Sequence, residues 1–161
     1  MKNKHEIVVH LDGQRFTKKP SKEIIGKISS RITQNRVRIS LKDFSYCVGE
    51  NGQAFTRALL RGKRRADFFE KQELFAIDID EGLSYQEFMK RSKLYGILPF
   101  LVYDTLSAAP EKEKFRAVYL MEAVIQKKEL AELFNMMLIK VFPESDEICK
   151  DAARLFLGGK K

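Results

Sequence analysis

Two hydrophobic periods run through this chain, one of two residues and one near 3.6, and they divide it into strands and helices. Ile7 to His10 reads as a strand running into an Asp12-Gly13 turn. Pro20 and Ser21 open a helix, Glu23 to Ile32, with Ile24, Ile25, Ile28 and Ile32 on its apolar stripe. Val37 to Leu41 alternates and predicts a second strand. Gly49, Gly52 and Gly62 punctuate a charged stretch from Gly49 to Asp67, which predicts irregular chain or a hairpin. Ser84, with Glu87 at the capping-box position, starts a helix from Ser84 to Tyr95. Pro99 to Thr105 and Phe115 to Met121 predict strands whose short polar connection suits antiparallel pairing. A last helix, Gln126 to Val141, carries Leu130, Leu133, Phe134, Met137, Leu138 and Val141 on one stripe and ends before Pro143. The Met-containing stripe reads as core.

The run Phe75-Ala76-Ile77-Asp78-Ile79-Asp80 is the most informative segment. On a strand, Phe75, Ile77 and Ile79 pack into a core while Asp78 and Asp80 share the other face beside the small Ala76. Carboxylates held in this way can bridge two divalent cations roughly 3.5 to 4 Å apart, the arrangement that supports in-line phosphoryl transfer.

Composition narrows the class. At 161 residues and 44% hydrophobic, the chain can bury one substantial core, as a single domain over residues 1–161. No apolar run approaches the roughly 18 residues that a bilayer span needs, so the expectation is a cytoplasmic protein without membrane partners. Cys47 and Cys149 stand far apart, which suits a reducing compartment and supplies no Cys-x-x-Cys zinc knuckle. Charge is unevenly placed: residues 1–70 hold 16 Lys or Arg against 7 Asp or Glu, and residues 71–161 hold 14 against 15. The first part reads as a basic N-terminal lobe and the second as a sheet carrying the acidic site. Arg57, Arg61, Lys63, Arg64 and Arg65 crowd just upstream of the aspartate strand, a cluster that attracts a polyanion. The same cluster on a solvated face would need no ligand.

The order of these motifs resembles the archaeo-eukaryotic primase superfamily, in particular the primase-polymerase domains of plasmids, phages and integrative elements. The resemblance spans roughly residues 49–159 in three blocks. The first is Gly52 through Asp80, with Phe55, Ala58, Gly62, Arg64, Phe69 and Gln72 leading into Asp78-Ile79-Asp80. The second is Tyr103-Asp104-Thr105-Leu106-Ser107 with Lys114-Phe115-Arg116. The third is Phe142-Pro143-Glu144-Ser145-Asp146 with Cys149 to Arg154 and Phe156 to Gly159.

The resemblance implies an α+β fold: an antiparallel, RNA-recognition-like palm sheet with Asp78, Asp80, Lys114 and Arg116 on one face, helices on the other, and the N-terminal lobe closing a cleft. It implies Mg²⁺ or Mn²⁺ in a two-metal site on Asp78 and Asp80, with a third carboxylate from Asp146 or Asp151. Asp146 also suits a helix cap, and Asp151 an ion pair with Arg154 at i,i+3. Thr105, Ser107, Lys114 and Arg116 would hold the phosphates of an incoming NTP or dNTP. Arg57, Arg61, Lys63, Arg64, Arg65 and Arg154 would contact single-stranded DNA template, and a replicative helicase is a possible partner. The pattern departs from the family in one respect: the histidine common in the second block is absent, the only histidines being His5 and His10. The chain also ends soon after Gly159, reading as an isolated module or a fragment.

The expected activity is metal-dependent nucleotidyl transfer. The alternatives are a non-catalytic nucleic-acid-binding module of a replication initiator and, third, a metal-dependent nuclease. On this reading Asp78→Asn and Asp80→Asn should remove activity with little loss of fold, because neutral amides are poor ligands for hard cations.

Overall fold

The computed structural model describes residues 6–159; His5 and the Lys160-Lys161 end lie outside them. In chain order the elements are β1 (Glu6–Leu11), α1 (Lys22–Arg31), β2 (Arg36–Ser40), α2 (Leu41–Gly49), β3 (Phe55–Thr56), β4 (Ala58–Leu60), β5 (Phe69–Ile79), α3 (Tyr85–Tyr95), β6 (Leu101–Asp104), β7 (Phe115–Ile125), α4 (Lys128–Val141) and β8 (Leu155–Phe156). They form a mixed α+β structure with two antiparallel sheets, ordered β2-β1-β3-β8 and β4-β5-β7-β6.

Local chemistry explains most boundaries. Ser21, Ser40 and Ser84 sit in extended backbone at the N-caps of α1, α2 and α3, each side chain accepting a backbone N–H three residues on. Gly96 closes α3 in the left-handed region, at φ 67°. Helix α2 is absent from the sequence-based map, although Ser40-x-x-Asp43 signals it: the Ser40 hydroxyl donates to the Asp43 carboxylate while accepting the Asp43 N–H. The stretch 49–67 holds no regular hairpin. Strands β3 and β4, separated only by Arg57, carry the chain from the first sheet to the second.

Both faces of β5 are covered, one by α3 and α4 and the other by the N-terminal sheet and α2. Phe75, Ile77 and Ile79 join Phe88 of α3, Ala131 of α4, Phe142 and alternate residues of β7 in one core. Leu74 and Ala76 face the opposite way, against Ile7 and Val9 of β1, Phe44 and Val48 of α2, and Phe55 and Phe156. The N-terminal sheet therefore lies on the same face of β5 as Asp78, and only the end of that face opens to solvent. Strand β8 completes the N-terminal sheet by pairing with β3, so the last residues of the fold reach this junction. Among the described residues, no helix is long and apolar enough to cross a membrane.

Candidate active site

Strand register lines up three polar side chains in a row across the second sheet. Asp78 on β5 stands opposite Arg116 on β7, which stands opposite Tyr103 on β6. The Arg116 Nε donates to Asp78 Oδ1, and its Nη1 donates to the Tyr103 hydroxyl (3.0 Å) and to the Leu157 carbonyl. The Tyr103 hydroxyl in turn donates to the Leu157 carbonyl (2.9 Å). All three side chains are buried. Desolvation pushes the Tyr103 pKa up to about 12, so the phenol stays neutral.

Asp78 is also tied to the third block. The Ser145-Asp146 turn joins the end of β5 through the Asp146 N–H, which donates to the Asp78 backbone carbonyl (3.1 Å). Arg154 lies between the two carboxylates, Nη2 standing 3.4 Å from Asp78 Oδ2 and 3.5 Å from Asp146 Oδ2. Burial alone would raise the Asp78 pKa, but the charges and hydrogen bonds of Arg116 and Arg154 outweigh it and hold the carboxyl below the usual aspartate range. Three guanidinium groups, those of Arg57, Arg116 and Arg154, stand 5.0, 5.0 and 5.9 Å from the centre of the Phe156 ring. Cations held near an aromatic ring gain quadrupole attraction.

This corner opens into a cleft of about 530 Å³. Asp78, Asp80, Asp146 and Asp151 line it, as do Thr105, Ser107, Arg64, Arg116 and Arg154, together with Leu157 of the third block and Lys19, which the sequence did not single out. Asp80 lies one residue past β5 and is exposed. Asp146 combines its place in the cleft with a capping role, Oδ1 accepting the Ile148 N–H. Asp151 Oδ1 accepts the Ala153 N–H (3.0 Å). Thr105 Oγ1 is buried at the wall with no hydrogen-bond partner among the described residues.

Other candidates fall elsewhere. Arg57 is 3% exposed, so it leaves the basic surface: it donates to the carbonyls of Ala76 (3.0 Å) and Asp151 (2.5 Å) and braces the junction between the sheets. Burial lowers its pKa to about 10, still cationic at neutral pH. Arg116 is no free phosphate fork either, because its donors are committed to Asp78, Tyr103 and Leu157. Arg154 pairs with Asp78 and Asp146 rather than with Asp151. Lys114 meets β6 through its backbone carbonyl, which accepts the Thr105 N–H, and is not a wall residue of the cleft. Arg61 and Arg65 have exposed side chains near Glu70 and Asp67, and Lys63 lies over Phe68. Arg64 turns inward to Ser29 Oγ and the Ala153 carbonyl. His10 is also structural: buried between the sheets, its Nε2 accepts the Leu60 N–H (2.9 Å), and burial followed by the nearby Arg36 charge lowers its pKa and keeps the ring neutral.

The donor set can be tested against a divalent metal. Carboxylate oxygens suit a hard cation, and Asp78 and Asp146 already converge on one, the Arg154 guanidinium. Among the described residues, however, no group of three His, Cys, Asp or Glu side chains is arranged to hold a metal ion. In this arrangement a metal and Arg154 compete for the same carboxylates.

No family model matches the chain, and no curated protein matches it in sequence. What the two antiparallel sheets and the four helices define is a class of fold, mixed α+β with a cleft where the sheets meet. Among solved structures, the chain is similar in fold to the AEP domain of the cyanophage S-2L primase-polymerase, with a TM-score of 0.50 over 96% of this chain and 72% of that one, at 9% sequence identity.

Proposed function

We propose that this chain is a primase-polymerase-like nucleotidyltransferase domain of a mobile-element replication protein, adding nucleotides to a primer on single-stranded DNA. The observation that carries the reading is one cleft shared by residues of all three sequence blocks: Asp78 and Asp80 from the first, Thr105 and Ser107 from the second, Asp146 and Arg154 from the third. Its walls mix acidic groups suited to metal with basic and hydroxyl groups suited to phosphate, the combination that nucleotidyl transfer needs.

Arg154 stands between Asp78 and Asp146, so Asp78, Asp80 and Asp146 would hold Mg²⁺ or Mn²⁺ only once its guanidinium has left them; the metal, when bound, would activate the 3′ hydroxyl and neutralise charge on the phosphates. Asp146 is favoured over Asp151 because it shares Arg154 with Asp78. Arg116 positions Asp78 rather than touching substrate. Arg154, released from the carboxylates, reaches the triphosphate together with Lys19 and the Thr105 and Ser107 hydroxyls. The template lies along the exposed basic residues Arg61, Lys63 and Arg65 of the N-terminal part.

Extension of a labelled primer on single-stranded template with Mn²⁺ or Mg²⁺ tests this. Asp80→Asn is the clean variant, since Asp80 is exposed and its loss leaves the Asp78–Arg116 pair intact; extension should fall at least about a hundredfold. Equal extension by the wild type and Asp80→Asn removes Asp80 from the site. The second reading, a non-catalytic nucleic-acid-binding module, is favoured by one observation: Asp78 is already neutralised by two arginines. DNA binding without extension and without metal-dependent nucleotide binding selects it.

A further inference from the structure

A second surface, on the sheet face opposite the cleft, is as apolar as the first is charged. A groove of about 620 Å³ runs between α4 and the segment after α3, with Phe75 and Tyr119 among the residues lining it and Ile97, Leu98, Phe134 and Met137 also on its walls. Phe75 and Asp78 project to opposite faces of β5, so the groove and the cleft do not overlap. Leu98 and the neighbouring Leu94 are 60% and 81% exposed. Tyr119 is buried, and its hydroxyl has no hydrogen-bond partner among the described residues, a group that a covering partner or a trapped water would satisfy.

Helix α4 has two apolar sides. Its inner side, with Ala131 and Phe134, packs on the core. Its outer side exposes Leu130, Leu133, Met136 and Met137, which corrects the reading of Leu130, Leu133 and Met137 as core: the buried side is shifted round the helix to Ala131, Phe134, Leu138 and Val141. A soluble helix that needs only one buried stripe does not require the second. The outer stripe is bounded by charges of opposite sign, Glu129 at its start and Lys140, a groove residue, about three turns later.

We propose that α4 is a homodimer interface, in which a second copy of this chain lays its own α4 antiparallel across the groove. The charge order selects that occupant. Antiparallel pairing about a two-fold axis between Leu133 and Met136 sets Glu129 of each copy against Lys140 of the other, at both ends of one isologous contact. Leu133 then meets Met136 of the other copy across the axis, and the Leu94–Leu98 ridge flanks the partner helix. The cleft stays open on both protomers, and the interface does not depend on the reading of that cleft.

Sedimentation equilibrium of the full chain, from about 1 to about 100 μM, tests the proposal across the range expected for a small, single-helix interface. The expected mass rises toward twice that of the chain. Leu133→Glu, at an exposed position, should raise the dissociation constant at least about tenfold with an unchanged circular dichroism melt. Glu129→Lys should weaken the dimer, and Glu129→Lys combined with Lys140→Glu should restore it. Should Leu133→Glu prove unfolded, this charge pair still decides. A monomer at every concentration overturns the proposal and leaves the groove to a different partner; a dimer indifferent to all these variants overturns it as well.

Discussion

Asp78 shows how one carboxylate can be both a structural anchor and a candidate ligand. It is buried and holds Arg116, itself buried, so Asp78→Asn does more than remove a ligand. Breaking a buried ion pair by altering one partner costs about 3–5 kcal/mol, so with Asp78 paired to Arg116 we expect Asp78→Asn to lose stability as well as a ligand, in place of the small loss expected from sequence. The pH dependence has a definite sign. Because the Asp78 pKa is depressed in the folded state, its stabilisation is present above the ordinary aspartate pKa, about 4, and is lost as pH falls through the lower folded value. Urea unfolding from neutral pH to about pH 2 should therefore show a steeper acid loss in the wild type than in Asp78→Asn. Equal slopes would mean that the pair is not formed in solution. Arg154 supports a second prediction. Removing it by Arg154→Ala takes away the cation that competes for Asp78 and Asp146, so Mn²⁺ affinity measured by calorimetry should rise several-fold. A weaker affinity would show that these carboxylates do not converge on metal.

Among the elements, the segment around Gly52 decides how the N-terminal sheet closes. Gly52 has a φ of 69°, and a Cβ there would lie 2.0 Å from the Phe16 carbonyl oxygen. Gly62 has a similar φ, 83°, with nothing near its would-be Cβ. The pair separates backbone strain from steric overlap. Gly62→Ala should cost about 1–2 kcal/mol, the strain of left-handed backbone, and Gly52→Ala clearly more, read from the denaturant midpoint. Equal costs would mean that the loop at Phe16 gives way freely. The same logic explains why α2 escaped the periodicity. Leu41–Gly49 is short and carries only two fully buried large side chains, Phe44 and Val48, so its capping serine signals it better than its hydrophobic pattern does.

For the whole molecule, the two faces of the β5 sheet serve different ends: one reaches the charged cleft, the other the apolar groove. The exposed basic residues of the N-terminal part make a prediction about DNA. Neutralising Arg61, Lys63 and Arg65 together should flatten the slope of log affinity against log salt, by up to about 0.7 for each phosphate of a single strand that they neutralise. Neutralising Arg57 tests stability instead, because its guanidinium braces the junction of the sheets. An unchanged salt slope in the triple variant would assign the cluster to a solvated face.

Much of this was legible in the residues. Alternation over Phe75–Ile79, the serine caps and the stripes of α1 and α4 determine their elements through local periodicity and hydrogen bonding, which need no distant partner. The three blocks also contain most of the cleft. Their arrangement was not legible, because it depends on contacts between residues far apart in sequence. Only the tertiary structure pairs Asp78 with Arg116 across β5 and β7, seats Arg154 between Asp78 and Asp146, and encloses Arg57 between two sheets. Hydrophobic pattern reports how much side chain is to be buried. Which charge meets which is decided when β8 docks beside β3 and the low-dielectric interior requires every buried cation to find its oxygen.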